Sequence, residues 1–171
     1  MSKLLLIYSS VDGHTKKICE EISKHVNKKY DVDILNLSTE SELDIDKYEN
    51  IIIGASIRYG NYRRELFEFI NQNLNMLDKL NSAFFSVNAV ARKPEKDSCE
   101  TNPYFNKFIL KSLWKPKLAE VFAGKIDYPR YKFFDKYIIQ FIMWITNGPT
   151  DLSKSYDFTD WDKVKRFAEK I

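Results

Sequence analysis

The sequence predicts an α/β protein built on a doubly wound, five-stranded parallel sheet, and three observations carry that prediction. Short apolar runs alternate along the chain with stretches of helical periodicity. The runs are unbroken rather than alternating, as in strands covered on both faces. The first run passes through a polar, glycine-containing turn straight into an amphipathic helix, the opening of a right-handed βαβ unit.

The elements follow in order. Lys3-Leu-Leu-Leu-Ile-Tyr8 reads as the first strand. Ile18, Cys19, Ile22 and Val26 then recur at helical spacing between Lys16, Lys17, Glu20 and Glu21, predicting a helix over Thr15 to Lys28. Val32 to Leu37, Asn50 to Ser56, Ala83 to Asn88 and Leu118 to Gly124 supply four further strands. Leu66, Phe67, Ile70, Leu74 and Leu77 mark one helix between them, and Phe105, Phe108, Ile109 and Leu113 another. A last helix is expected from Thr159 to Ile171, with Thr or Asp at its start as cap and Trp161, Val164, Phe167 and Ala168 inward. No repeat or linker divides the 171 residues, so 1–171 is read as one domain.

Composition narrows the function. The chain is 44% hydrophobic and 30% charged, which excludes a disordered or collagen-like protein. A net charge of +3 spread over 27 basic and 24 acidic residues gives no case for nucleic acid. Cys19 and Cys99 stand in no metal-ligand spacing, so no metal is expected and both read as free thiols of a reducing compartment. The initial apolar run is too short for a signal peptide, and no run reaches the roughly 20 residues that span a bilayer. A cytoplasmic protein is expected. At 15%, aromatic residues exceed what a core of this size needs, so some are expected to face a ligand or partner.

In a doubly wound sheet the ligand lies beyond the carboxyl ends of the strands, where the strand order reverses. Three loops therefore matter. The first, Ser10-Val11-Asp12-Gly13-His14-Thr15, offers two hydroxyls, a glycine and the N–H groups of a helix start. It fits either a phosphate cradle or an ordinary capped turn. It contains no GxGxxG and no GxxxxGK[ST]. The second, Ser56-Ile57-Arg58-Tyr59-Gly60 and on to Arg63 and Arg64, brings aromatics and guanidinium groups to the same edge. The third, Ser86-Val87-Asn88-Ala89-Val90-Ala91, followed by Arg92 and Lys93, adds backbone amides. Two such loops suit a flat ring system held between them, and the alternative is exposed loops of solvated charge.

The first loop resembles the phosphate loop of flavodoxins: Ser10, Gly13 and Thr15 match, while Asp12 stands where many flavodoxins carry Thr. A carboxylate is unfavourable beside a phosphate unless it points away or caps the helix. Longer strings, Ile53-Gly-Ala-Ser-Ile-Arg-Tyr-Gly60, Ser82 to Asn88, Val90-Ala-Arg-Lys-Pro-Glu-Lys96 and Tyr128-Pro-Arg-Tyr131, are similar to the menaquinone-dependent protoporphyrinogen IX oxidases of the flavodoxin-like superfamily. The resemblance runs over nearly the whole chain. It implies strand order 2-1-3-4-5, FMN as cofactor, and oxidation of protoporphyrinogen IX with menaquinone as acceptor in heme biosynthesis. It further implies that Ser10, Gly13, His14 and Thr15, with Val11 and Asp12, surround the FMN phosphate, and that Ser56 to Gly60 and Ser86 to Ala91 flank the ring. Arg58, Arg63, Arg64, Arg92 and Lys93 are candidates for the substrate propionates, because guanidinium pairs well with carboxylate; solvated surface charge is the alternative for each. No catalytic side chain stands out, and the chemistry falls to the flavin.

The resemblance implies that a segment over about 125–150 is an insertion which a plain flavodoxin lacks. Lys115 to Lys136 holds six basic residues against three acids, and Tyr137 to Ile145 is apolar at eight of nine positions. As a helix, the stretch carries Phe134, Tyr137, Ile138, Phe141, Ile142 and Ile145 on one face. It fits a buried core helix or an interfacial helix on an anionic membrane surface, and the resemblance favours peripheral attachment to the inner face of the cell membrane. Alternatives for the whole protein are a quinone reductase, an electron-transfer flavodoxin, or a non-enzymatic membrane- or partner-binding module. Self-association into a homo-oligomer through exposed aromatics is a further expectation.

Overall fold

The computed structural model describes residues 1–39 and 43–171. Its five parallel strands are β1 (Ser2–Ser9), β2 (Tyr30–Asn36), β3 (Asn50–Ser56), β4 (Asn81–Asn88) and β5 (Leu118–Ala123), ordered β2-β1-β3-β4-β5. The predicted fold class and strand order hold. Helices α1 (His14–Val26) and α6 (Trp161–Ala168) cover one face, and α2 (Arg64–Gln72), α3 (Leu74–Lys79) and α4 (Pro103–Lys111) the other.

Coverage on both faces is why β1 reads as an unbroken apolar run. Leu4 and Leu6 pack with Ile18, Ile22, Phe85 and Phe167. Leu5 and Ile7 join Phe84, Phe108 and Trp114 on the opposite side. Burying such side chains contributes roughly 1.5–3 kcal/mol each, against which chain entropy is set.

Three expectations at this level are corrected. The single helix over Leu66 to Leu77 is two, because Asn73 leaves helical geometry (φ −113°, ψ 14°) and its side-chain amide bonds the Phe69 carbonyl at 2.9 Å. Leu113 lies beyond the end of α4 and is exposed. Trp161 opens α6 partly exposed, its ring edge-on to His14 at 5.9 Å, and Asp160 caps that helix by accepting from Lys163 N–H at 2.9 Å.

Between β5 and α6 the chain makes an excursion. It leaves and returns through a two-stranded antiparallel ribbon, β6 (Lys125–Asp127) against β7 (Ser155–Asp157), in which Lys125 faces Asp157. Within it lies α5 (Phe133–Ile145), anchored by Met143 against Ile126 and Tyr128. The Tyr128 hydroxyl donates to the Pro149 carbonyl at 2.8 Å, and Gln140 donates to that of Thr150 at 2.8 Å. Met143 is the one buried residue of α5. The apolar face is not a core face: Phe134 is 78% exposed, Phe141 60% and Ile145 56%. Among the described residues, no helix is long and apolar enough to cross a membrane.

Candidate functional site

After β1 the chain moves to β2 on one side and then to β3 on the other, so a crevice opens beyond the carboxyl ends of β1 and β3. An open cleft of about 150 Å³ lies there, lined from the first loop, the second, the third and the excursion.

The first loop is shaped by Gly13, left-handed at φ 80°, which turns the chain into α1. Ser10 Oγ accepts from the Gly13 N–H at 3.0 Å. No side chain caps α1 and no acid stands in its first turn, so these N–H groups and the helix dipole present positive character to the cleft. Thr15 is fully buried, yet its hydroxyl has no partner. A buried hydroxyl without a partner costs about 1–3 kcal/mol, which a ligand acceptor would recover.

His14 is held from behind. Thr159 Oγ donates to the Ala123 carbonyl at 2.9 Å, so it accepts from His14 Nε2 at 2.7 Å, and Nε2 carries the proton. Nδ1 is left buried and unpartnered. Burial lowers the His14 pKa, with Asp157 opposing, so the ring is neutral at physiological pH.

The second loop is a tight reversal. Tyr59 (φ 49°) and Gly60 (φ 76°) are both left-handed, and Arg58 and Asn61 exchange backbone hydrogen bonds of 3.0 and 3.1 Å. The turn lifts the Tyr59 ring to the cleft rim, and Lys107 braces it through Asn61 Oδ1 at 2.7 Å. The third loop stands on a buried network: Asn88 accepts from Ala91 N–H at 3.1 Å and donates to Ser86 Oγ, which also receives the Tyr62 hydroxyl at 2.6 Å.

The structure therefore sorts the sequence-derived residues. Ser10, Val11, Asp12, His14, Thr15, Ser56 to Gly60, Val87 to Val90 and Arg92 line the cleft. Gly13 shapes the first loop, while Ser86 and Ala91 support the third from beneath. Arg63 donates to the Ser10 carbonyl at 3.2 Å and pairs with Glu65 at 3.0 Å, bracing the first loop. Arg64 pairs with Glu68 on the outer surface, and neither Arg64 nor Lys93 is among the residues that line the cleft. Arg92 donates to the Ala89 carbonyl at 2.9 Å and to the Thr146 carbonyl at 2.9 Å, tying the third loop to the end of α5.

Arg58 has the most demanding position. It pairs with Asp12 at 2.6 Å and with Asp135 of α5 at 3.1 Å, its guanidinium lying over the Tyr59 and Tyr131 rings at 5.3 and 5.2 Å. The Asp12 carboxylate is thus directed to Arg58, which resolves its awkward place in an anion cradle. Sequence reasoning missed the excursion's share of the wall, Tyr131, Ile139, Ile142, Met143 and Thr146, along with Tyr104 of α4. The apolar composition of 137–145 was the available signal.

Residues 5–153 match the flavodoxin domain family. The chain belongs to that family. Its Leishmania major relative named protoporphyrinogen IX dehydrogenase [quinone] is 43% identical over 168 residues, covering 97% of this chain and 73% of that protein. The Escherichia coli K12 protein of the same name is 39% identical over 170 residues, covering 99% and 94%. Oxidised flavodoxin 1 of Bacillus cereus superposes with a TM-score of 0.56 at 15% identity, covering 99% of this chain and 96% of that one, which establishes the shared fold. In this flavodoxin domain the excursion adds an apolar wall to the anion-receptive end of the sheet.

Proposed function

We propose that this flavodoxin-domain protein binds FMN and oxidises protoporphyrinogen IX to protoporphyrin IX, passing the electrons to a quinone, in the biosynthesis of heme. What carries the reading is one cleft that joins an anion cradle to an apolar wall, in a chain 39–43% identical to dehydrogenases of that name over nearly its full length.

The residues fit the cofactor. The unpartnered Thr15 hydroxyl, Ser10 and the uncapped N–H groups at the start of α1 suit a phosphate monoester. Tyr59 and the backbone of 87–90 offer a flat face and amide groups to a ring. Bound there, FMN supplies a two-electron acceptor, and the six electrons and six protons lost in forming the porphyrin require three rounds. The protein binds, orients and excludes water. Ile139, Ile142 and Met143 present an apolar surface to a tetrapyrrole, and Arg58 is the cleft's candidate for a propionate. Menaquinone is the proposed acceptor. The test is anaerobic mixing of the FMN-loaded protein with protoporphyrinogen IX and a menaquinone analogue: porphyrin fluorescence is expected to rise well above the buffer rate, and no rise would leave a flavin-binding protein without this activity.

We further infer that α5 rests on the anionic inner leaflet of the cell membrane. Eight of its residues are large, apolar and exposed, with Arg130, Lys132 and Lys136 beside them, which suits an interfacial helix rather than a spanning one. Both proposed reactants are themselves apolar. Replacing Phe134 and Phe141 by Asp is expected to reduce recovery with anionic liposomes in flotation by at least about tenfold, from the roughly 1.5–3 kcal/mol each buried ring contributes. Equal recovery of the double variant and the parent would overturn the attachment.

A further inference from the structure

We propose that Asp135 is an internal placeholder for a substrate carboxylate: it occupies Arg58 in the free protein and is exchanged for a propionate of the incoming tetrapyrrole. The inference rests on the function just proposed and adds a specificity residue to it.

Arg58 lines the cleft, whereas Asp135 approaches it from the excursion side. Two carboxylates share this one guanidinium, whose side chain is 17% exposed. A third carboxylate added there would be repelled by two negative charges already paired with that guanidinium. Exchange leaves the local charge unchanged. One of the two residents must therefore yield.

The fold decides which. Asp12 sits in the first loop, whose backbone Arg63 holds through the Ser10 carbonyl. Asp135 sits in the first turn of α5, where no residue is buried. The far end of α5 is fixed by Met143 and by Arg92 on Thr146. The near end is held to the second loop by what Asp135 accepts from Arg58 and from the Tyr59 hydroxyl. When Asp135 leaves, Arg58 and the Tyr59 hydroxyl are both freed as donors, in a fork that suits an arriving carboxylate. The Tyr59 and Tyr131 rings on Arg58 keep the guanidinium in place meanwhile. A neutral tetrapyrrole of the same shape offers Arg58 only uncharged acceptors in return, so the placeholder favours substrates that bear carboxylates.

The test measures binding of protoporphyrin IX and of its dimethyl ester to the FMN-loaded protein in detergent, by fluorescence anisotropy. Asp135→Asn keeps size and an acceptor for Tyr59 but loses the charge that competes for Arg58. It is expected to tighten the dicarboxylate about two- to fivefold, the scale of a partly exposed ion pair, and to leave the diester unchanged. Asp151→Asn, the same charge change at a residue paired with Lys154 elsewhere, is expected to do neither. Equal tightening of diester and diacid, equal tightening by Asp151→Asn, or no change with Asp135→Asn would overturn the exchange while parental porphyrin binding leaves the function standing. If parent and variants all fail to bind either porphyrin, the porphyrin reading and the exchange fall together.

Discussion

The Ser10→Ala/Thr15→Ala variant is expected to lose FMN affinity by about a hundredfold or more, while the apoprotein stays folded. Hydrogen bonds to a charged group are worth roughly 1.5–3 kcal/mol each, so two hydroxyls withdrawn from a phosphate predict that scale. The apoprotein has little to lose. Thr15 Oγ makes no hydrogen bond within the chain, and Ser10 Oγ holds a single exposed one. Thr15→Ser, which restores the hydroxyl, is expected to recover most of the affinity lost at that position. Quenching of FMN fluorescence on titration with apoprotein gives the dissociation constants. Unchanged affinity in the double variant would move the phosphate elsewhere.

The second large effect concerns stability. A Cβ built at Gly54 would lie 2.1, 2.5 and 2.7 Å from three ring atoms of Phe85, its partner across the β3–β4 ladder. Phe85 cannot step aside, because it is fully buried against Phe122 and Phe167 at ring separations of 5.4 and 6.1 Å. Gly54→Ala is expected to destabilise the fold by about 3 kcal/mol, the upper range for overpacking, and to lower Tm by roughly 6–12 °C. Calorimetry reads the shift. Shrinking the neighbour supplies the internal check: in the Phe85→Leu background the same Ala is expected to cost much less, and additive losses would refute the contact as the cause.

What the sequence disclosed follows from the range of the interactions involved. Strands such as Leu4 to Ile7 were legible because burial on two faces is written in consecutive residues. The three candidate loops were legible because a doubly wound topology fixes where strand ends converge. The break at Asn73 was not, since it depends on one side chain competing for the Phe69 carbonyl. Strands β6 and β7 were missed because each has three residues and meets its partner about thirty positions away. The roles of the arginines were hidden for the same reason: Arg58 finds Asp135 at a separation of 77 residues, and Arg92 finds Thr146 at 54. Periodicity marked the apolar face of α5, but no pattern within a helix says whether another element covers it.

The rung at which Lys125 faces Asp157 places the departure and the return of the excursion side by side. A stretch attached this way behaves as a cassette. Joining its two ends directly asks little of the chain, because a shorter connection costs less closure entropy and both flanking elements already point at one another. Joining Gly124 to Phe158, whose N–H already donates to the Gly124 carbonyl at 3.1 Å, would leave every strand of the five-stranded layer with the neighbours it has.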